Sequence, residues 1–171
     1  MRWASVLLLA MTLAAADWPA SRVIGEHQVP LCGSARFTWW GIEVYDVALY
    51  LPPGAAPLAE APRAIAFRYR RAFTARDLAR ATTVTVQARA AGAPPAEVEA
   101  GLAAINRLWP DVGAGDELTL VYEPAQGLRV LLNDRQLGVV SGTQFARVLF
   151  SVWLGEQPID RRLRDRLLAR R

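Results

Sequence analysis

Apolar residues recur at every second position in two parts of this chain and at helical spacing in three others. Ser21 to Pro30 alternates loosely and closes on proline, which predicts an edge strand or an extended lead-in. Leu31 to Leu51 holds enough aromatic and β-branched residues for two antiparallel strands, or for one strand bent at a Gly41 corner, and Pro52-Pro53-Gly54 ends it. Neither face of the stretch from Ile42 to Leu51 is purely polar. Such a strand is covered on both sides, by helices on one and by something else on the other. After an Ala/Pro-rich loop from Ala55 to Pro62, the segment Ala64 to Arg70 places Ile65, Phe67 and Tyr69 on one face and Arg68 and Arg70 on the other.

Thr74 and Asp77 form an N-terminal cap, which predicts a helix from Ala75 towards Gln87 although Thr82 to Val86 is a β-branched run. Pro94-Pro95 opens a second helix with Val98, Leu102, Ile105 and Trp109 as its stripe, ended by Pro110-Asp111. From Asp116 the period returns to two. Three strands in a meander follow, with turns at Pro124 to Gly127 and at Asn133-Asp134. A helix from Gln144 to Trp153 carries Phe145, Val148, Leu149 and Val152 inward, Gly155 stops it, and Pro158-Ile159-Asp160 starts a last helix with Leu163, Leu167 and Leu168 inward. The order predicts an α+β domain on an antiparallel sheet, with no repeat or linker to divide it.

Composition places that domain in a compartment. Arg2, the apolar run from Trp3 to Leu13 and Ala14-Ala15-Ala16 have the layout of a secretory signal peptide, and the run is shorter than the roughly 20 residues a spanning helix needs. The expected division is a signal peptide over 1–16 and a single domain over 17–171, exported and periplasmic. Cys32 is the only cysteine, so no intrachain disulfide forms, and it reads as a small buried hydrophobe. All 20 basic residues are arginine, as GC-rich coding produces, and the net charge of +4 allows peripheral contact with an anionic membrane surface. The arginines are interleaved with acids and no recognition motif occurs, which excludes nucleic acid as a partner.

Most catalytic chemistry is missing. The chain has no Gly-x-Ser-x-Gly elbow, no glycine-rich phosphate loop and no paired cysteines, and His27 is its only histidine. His27 therefore reads as a surface strand residue, Asp111 and Asp116 as turn residues lacking calcium-loop spacing, and neither a metal nor a cofactor is expected. What remains is Arg36, placed after a Gly33-Ser34-Ala35 turn whose backbone N–H groups can assist an anion, followed by Tyr45 and Tyr50 and by Phe37, Trp39 and Trp40 as walls of an apolar cleft. Two readings stand here: Arg36 grips an anion, or it pairs with Glu43 across a strand while the aromatics form core.

Leu31 to Arg36, Val44 to Leu51, Gly115 to Tyr122, Gly138 to Phe145 and Ser151 to Asp160 resemble the motifs of the chalcone isomerase-like proteins over nearly all of the chain after residue 16. Trp153-Leu-Gly followed by Pro158-x-Asp160 is similar to the bacterial exported branch. The resemblance implies an open-faced β-sandwich, an antiparallel sheet with helices packed on one face and a ligand cleft between them. It implies that Arg36 is a site residue, since that position serves both the isomerases and their fatty-acid-binding relatives. Tyr45 falls where a threonine is expected, Phe73 where the ketone-binding tyrosine is expected, and Arg76 and Arg80 replace a lysine and an asparagine. The expected protein is a non-catalytic binder of a small amphipathic anion such as a fatty acid, with Arg36 as anchor and Tyr45, Phe73, Arg76 and Arg80 around it. The alternative is an isomerase or lyase acting on an unsaturated carbonyl compound.

Overall fold

The computed structural model describes residues 17–91 and 95–169. Residues 1–16, where a signal peptide is expected, the first proline of Pro94-Pro95 and the last two arginines lie outside the described residues. Seven strands, β1 (Ser21–Ile24), β2 (His27–Trp39), β3 (Ile42–Tyr50), β4 (Arg63–Tyr69), β5 (Glu117–Glu123), β6 (Gly127–Leu132) and β7 (Arg135–Val140), form one antiparallel sheet in chain order. Helices α1 (Ala75–Gln87) and α2 (Pro95–Asn106) connect β4 to β5, and α3 (Thr143–Leu154) and α4 (Arg161–Leu167) follow β7.

The period-two pattern sorts the sheet into two faces. Tyr45, Val47 and Leu49 of β3, Ile65, Phe67 and Tyr69 of β4, and Leu118, Leu120 and Tyr122 of β5 share the main core with α2, α3 and α4. The helices bring Val98, Leu102, Ile105, Phe145, Leu149, Val152, Leu163 and Leu167 to that core, as their 3.6-residue spacing requires. The β-branched run in α1 stays helical because the capping box of Thr74 and Asp77 closes the first turn and Val86 is buried in the core, while the Thr83 and Thr85 hydroxyls are satisfied by the carbonyls of Ala79 and Ala81.

The opposite face carries Ala48, Ala64 and Ala66 with Tyr50 beside them, and on it sit Ile24 and Val29. The covering element is the hairpin of β1 and the first part of β2, and it revises the expectation of a single strand over Ser21 to Pro30. Gly25, at φ 59°, makes the turn, and Pro30 lies where β2 changes partner from β1 to β3, so its missing N–H costs little. Arg22 of this hairpin pairs with Glu117 of β5, and Tyr50 donates to the Pro19 carbonyl.

Two further expectations change. Gly33-Ser34-Ala35 is not a turn but the middle of β2, just past a register shift between Leu31 and Gly33. Gly33 is required by packing: a Cβ there would lie 2.3 Å from the carbonyl oxygen of Arg166, so the glycine lets α4 lie against the strand. Trp39 and Trp40 do not wall a cleft. Trp40 (φ 51°) and Gly41 (φ 77°) form the two-residue turn between β2 and β3, and both indoles project into solvent.

Candidate functional site

Between the inner face of β2 to β5 and the helices α1 and α3 lies a cavity of about 330 Å³, at the small end of the ligand-site range. The sheet contributes Phe37, Val44, Tyr45, Phe67, Tyr69, Leu118 and Leu120. The helical side contributes Leu78, Ala81, Thr82 and Thr85 of α1 and Leu149, Val152 and Trp153 of α3, and Phe73, Trp109 and Ile159 close the ends. Phe73 is held in place by an isolated bridge to Val112, their backbone amides exchanging two hydrogen bonds.

The walls are aromatic and interlocked. Tyr45 stacks on Phe37 at 5.1 Å, meets Phe67 edge-on at 5.1 Å and lies 6.0 Å from Tyr69, while Phe67 packs on Trp153 at 4.9 Å and Tyr69 on Phe73 at 5.7 Å. Such a lattice of rings fixes the side chains that carry the polar atoms.

Those polar atoms are chiefly uncharged donors. The Tyr45 hydroxyl oxygen accepts from Trp153 Nε1 at 3.2 Å, which leaves its own proton without an acceptor among the described residues. The Tyr69 hydroxyl has no hydrogen-bond partner among the described residues, and the Trp109 indole N–H is buried without one. A cavity lined this way favours an acceptor, either a carboxylate or a carbonyl oxygen, in an otherwise apolar ligand. Burial pushes the Tyr45 phenol well above its ordinary value of 10.0, a rise that the Trp153 hydrogen bond only partly offsets, and burial raises Tyr69 likewise. Both remain neutral donors at physiological pH, unable to serve as phenolate bases. The one carboxylate in the lining, Asp77, is exposed at the rim and is held below the usual range by its hydrogen bonds from Thr74.

The residues singled out from the sequence divide in two. Tyr45 and Phe73 meet in the cavity; Arg36, Arg76 and Arg80 are not among its lining residues. Arg36 points the other way along β2 and is occupied by acids: its Nε donates to Asp46 at 2.7 Å and its NH1 to Glu43 at 2.5 Å. The cross-strand contact with Glu43 is therefore present, and Asp46, directly opposite in the register and buried, is the principal partner. Arg36 also borders a smaller crevice with Asp160, Arg162 and Arg166. Arg76 and Arg80 are exposed on α1, close enough to Asp77 to add to the lowering of its pKa by the Thr74 hydrogen bonds.

Sequence reasoning did not select Tyr69, Trp109 or Trp153 for the site. The signal for Tyr69 was its place beside Ile65 and Phe67 on one strand face, and for Trp109 its place in a helical stripe. A stripe marks a core face, and only the packing shows where that core is hollow. Trp109 in fact lies three residues beyond the end of α2, where the chain has left the helix.

The chain belongs to the chalcone isomerase-like family, whose model matches residues 10–169. The fold is similar to the crystal structure of a fatty-acid binding protein from Arabidopsis thaliana, with a TM-score of 0.72, 17% sequence identity, and coverage of 88% of this chain and 90% of that chain. A comparison with curated proteins finds no match.

Proposed function

We propose that this protein is a non-catalytic carrier or sensor of a small amphipathic ligand with a carboxylate or carbonyl head, such as a fatty acid, held in the cavity between sheet and helices. The observation that carries the reading is the cavity itself: aromatic and aliphatic walls, and two neutral donors, the hydroxyls of Tyr45 and Tyr69, with no acceptor among the described residues. Apolar walls supply affinity and uncommitted donors select the head group. The fatty-acid binding protein of like fold supports a lipid-like ligand class.

Isomerisation of a chalcone needs a cation for the phenolate and an electrophile at the ketone. Arg36 is neutralised by Asp46 and Glu43, and Phe73 has no hydroxyl, which favours binding over turnover. In this reading the chain acts outside the cytoplasm, after removal of residues 1–16, as a member of the exported bacterial branch of the family.

Mass spectrometry of small molecules extracted from protein purified from its native envelope tests the reading, together with calorimetric titration of dodecanoate, with dodecanoate-free buffer as control. Recovery of a long-chain carboxylate and micromolar dodecanoate binding are expected. Turnover of a chalcone panel without dodecanoate binding overturns it. Terminal sequencing of the envelope protein, expected to begin at Asp17, tests export.

A further inference from the structure

The tip of the β2–β3 hairpin is the most apolar exposed feature among the described residues. Trp40 is 89% exposed, Trp39 57% and Ile42 50%. Two-residue turns of this kind favour Asn-Gly, because both central residues need positive φ and asparagine tolerates it far better than a bulky aromatic. Trp40 sits there at φ 51°. A residue that local sterics disfavour, pointed at solvent and packing on nothing, is explained by what it presents outward.

Exposed cations lie along the strands that lead to the tip. The Arg70 amide donates to the Val44 carbonyl beside it, so Arg71 emerges at the same end of the sheet. Arg162 and Arg166 of α4 share a crevice with Arg36, Phe37 and Thr38, the residues leading into the tip. Arg36 and Arg70 are neutralised by Glu43 and Asp46, whereas Arg71, Arg162 and Arg166 are exposed and in no ion pair among the described residues. Indoles prefer the boundary between headgroups and hydrocarbon, and arginines beside them meet lipid phosphates. The charge distribution thus selects an anionic bilayer over an apolar protein groove.

We propose that the hairpin tip Trp39–Ile42, with Arg71, Arg162 and Arg166, is an interfacial anchor that docks this protein on an anionic lipid surface. Trp39 packs on Phe37 at 6.4 Å, and Phe37 lines the cavity, so docking sets one wall of the ligand cavity next to the bilayer. The anchor stands apart from whatever the cavity holds, and its test does not depend on a ligand.

Trp40→Asn restores the preferred Asn-Gly turn, so the variant keeps or gains stability. Co-sedimentation of the full chain with vesicles of phosphatidylcholine alone, or of phosphatidylcholine and phosphatidylglycerol, is expected to show about tenfold tighter binding to the anionic vesicles. Trp40→Asn and Trp39→Ser are each expected to weaken that binding at least threefold with an unchanged melting temperature, and the pair Arg162→Glu with Arg166→Glu to abolish the anionic preference. The N-terminal apolar segment is present in every variant, so the difference between variants reads the tip. Equal vesicle binding by wild type and Trp40→Asn overturns the proposal, as does absence of vesicle binding by the wild type. A wild-type dimer in sedimentation equilibrium that Trp40→Asn dissolves also overturns it, since the tip then covers a second copy of the chain.

Discussion

The indole Nε1 of Trp153 donates to the hydroxyl oxygen of Tyr45 at 3.2 Å, and this single bond decides how the phenol acts. With one lone pair engaged from the α3 side, the Tyr45 proton is turned to donate, and burial keeps that proton in place. Tyr45→Phe removes the donor while keeping the ring that stacks on Phe37. Dodecanoate affinity is expected to fall about threefold to tenfold, the worth of one hydrogen bond of about 1 kcal/mol, with a melting temperature within a few degrees of wild type. Titration calorimetry of the variant against wild type checks it, and equal affinity removes Tyr45 from the head-group site.

Cavity occupancy has a steric test that leaves the donors intact. Ala81 is exposed on α1 and lines the cavity at its rim, so a larger side chain there fills the entrance and not the core. Ala81→Trp is expected to lower dodecanoate affinity more than tenfold while the helix, which tolerates either residue, keeps its stability within about 0.7 kcal/mol. Wild-type affinity in this variant places the ligand elsewhere.

The fold was legible in this sequence because its local signals agree with one another. Thr74 with Asp77, Asn133-Asp134, Gly155 and Asp160 mark element ends by hydrogen-bonding and φ requirements that act over a few residues, and those ends lie where the structure has them. The failures lie where a residue serves a distant partner. Gly33 reads as a turn residue, but its reason for being glycine is the backbone of α4, more than 130 positions away in sequence. Trp40 reads as core by its chemistry, but a positive-φ turn throws it outward. Of the candidate site the sequence picked out two residues that line the cavity, Tyr45 and Phe73. For Arg36 the sequence leaves an anion grip and a pair with Glu43 both open, and Asp46 becomes its principal partner only once the β2–β3 register is set.

Gly33→Ala measures that long-range requirement. The added Cβ would meet the Arg166 and Leu167 carbonyl oxygens at 2.3 and 2.6 Å, and backbone atoms cannot rotate away as a side-chain end would. Relief requires α4 to lift from β2, drawing Leu163 and Leu167 from the core. A loss of about 2 kcal/mol or more is expected in denaturant unfolding. A turn at this position would instead tolerate alanine at under about 1 kcal/mol.

Stability at high pH follows from the buried phenols. Tyr45 and Tyr69 are raised above 10.0 in the fold by burial, so above pH 10 the unfolded chain releases protons that the native protein retains, and stability falls as pH rises. Arg63 acts in the opposite sense: buried between the rings of Tyr122 and Phe150, it is lowered from 12.5 to about 10, and its contribution rises over that interval. Burial also raises Tyr50 and lowers Arg89, and three phenols against two guanidinium groups give a net loss. The expected slope between pH 10 and 11 is a fall of about 1 kcal/mol, and Tyr69→Phe is expected to flatten it, as read by urea unfolding across that range. A slope unchanged by Tyr69→Phe contradicts the assignment.

Arg36→Ala alone does not separate an anion anchor from a structural cation, because both lose ligand once the site deforms. The pair with Asp46 supplies the distinction. Asp46 is 5% exposed and receives Arg36 Nε at 2.7 Å and Arg70 NH1 at 3.5 Å, so removing Arg36 strands a buried carboxylate on one long contact. Arg36→Ala is expected to cost about 2 kcal/mol of stability, and Asp46→Leu in the same chain to recover most of it, since the paired charges are replaced by apolar volume. Dodecanoate binding then decides. The recovered double variant is expected to bind within about twofold of wild type, because Tyr45 and Tyr69 still line the cavity. A stable double variant that has lost more than tenfold in affinity would return Arg36 to the ligand and require its guanidinium to exchange Asp46 for the bound carboxylate.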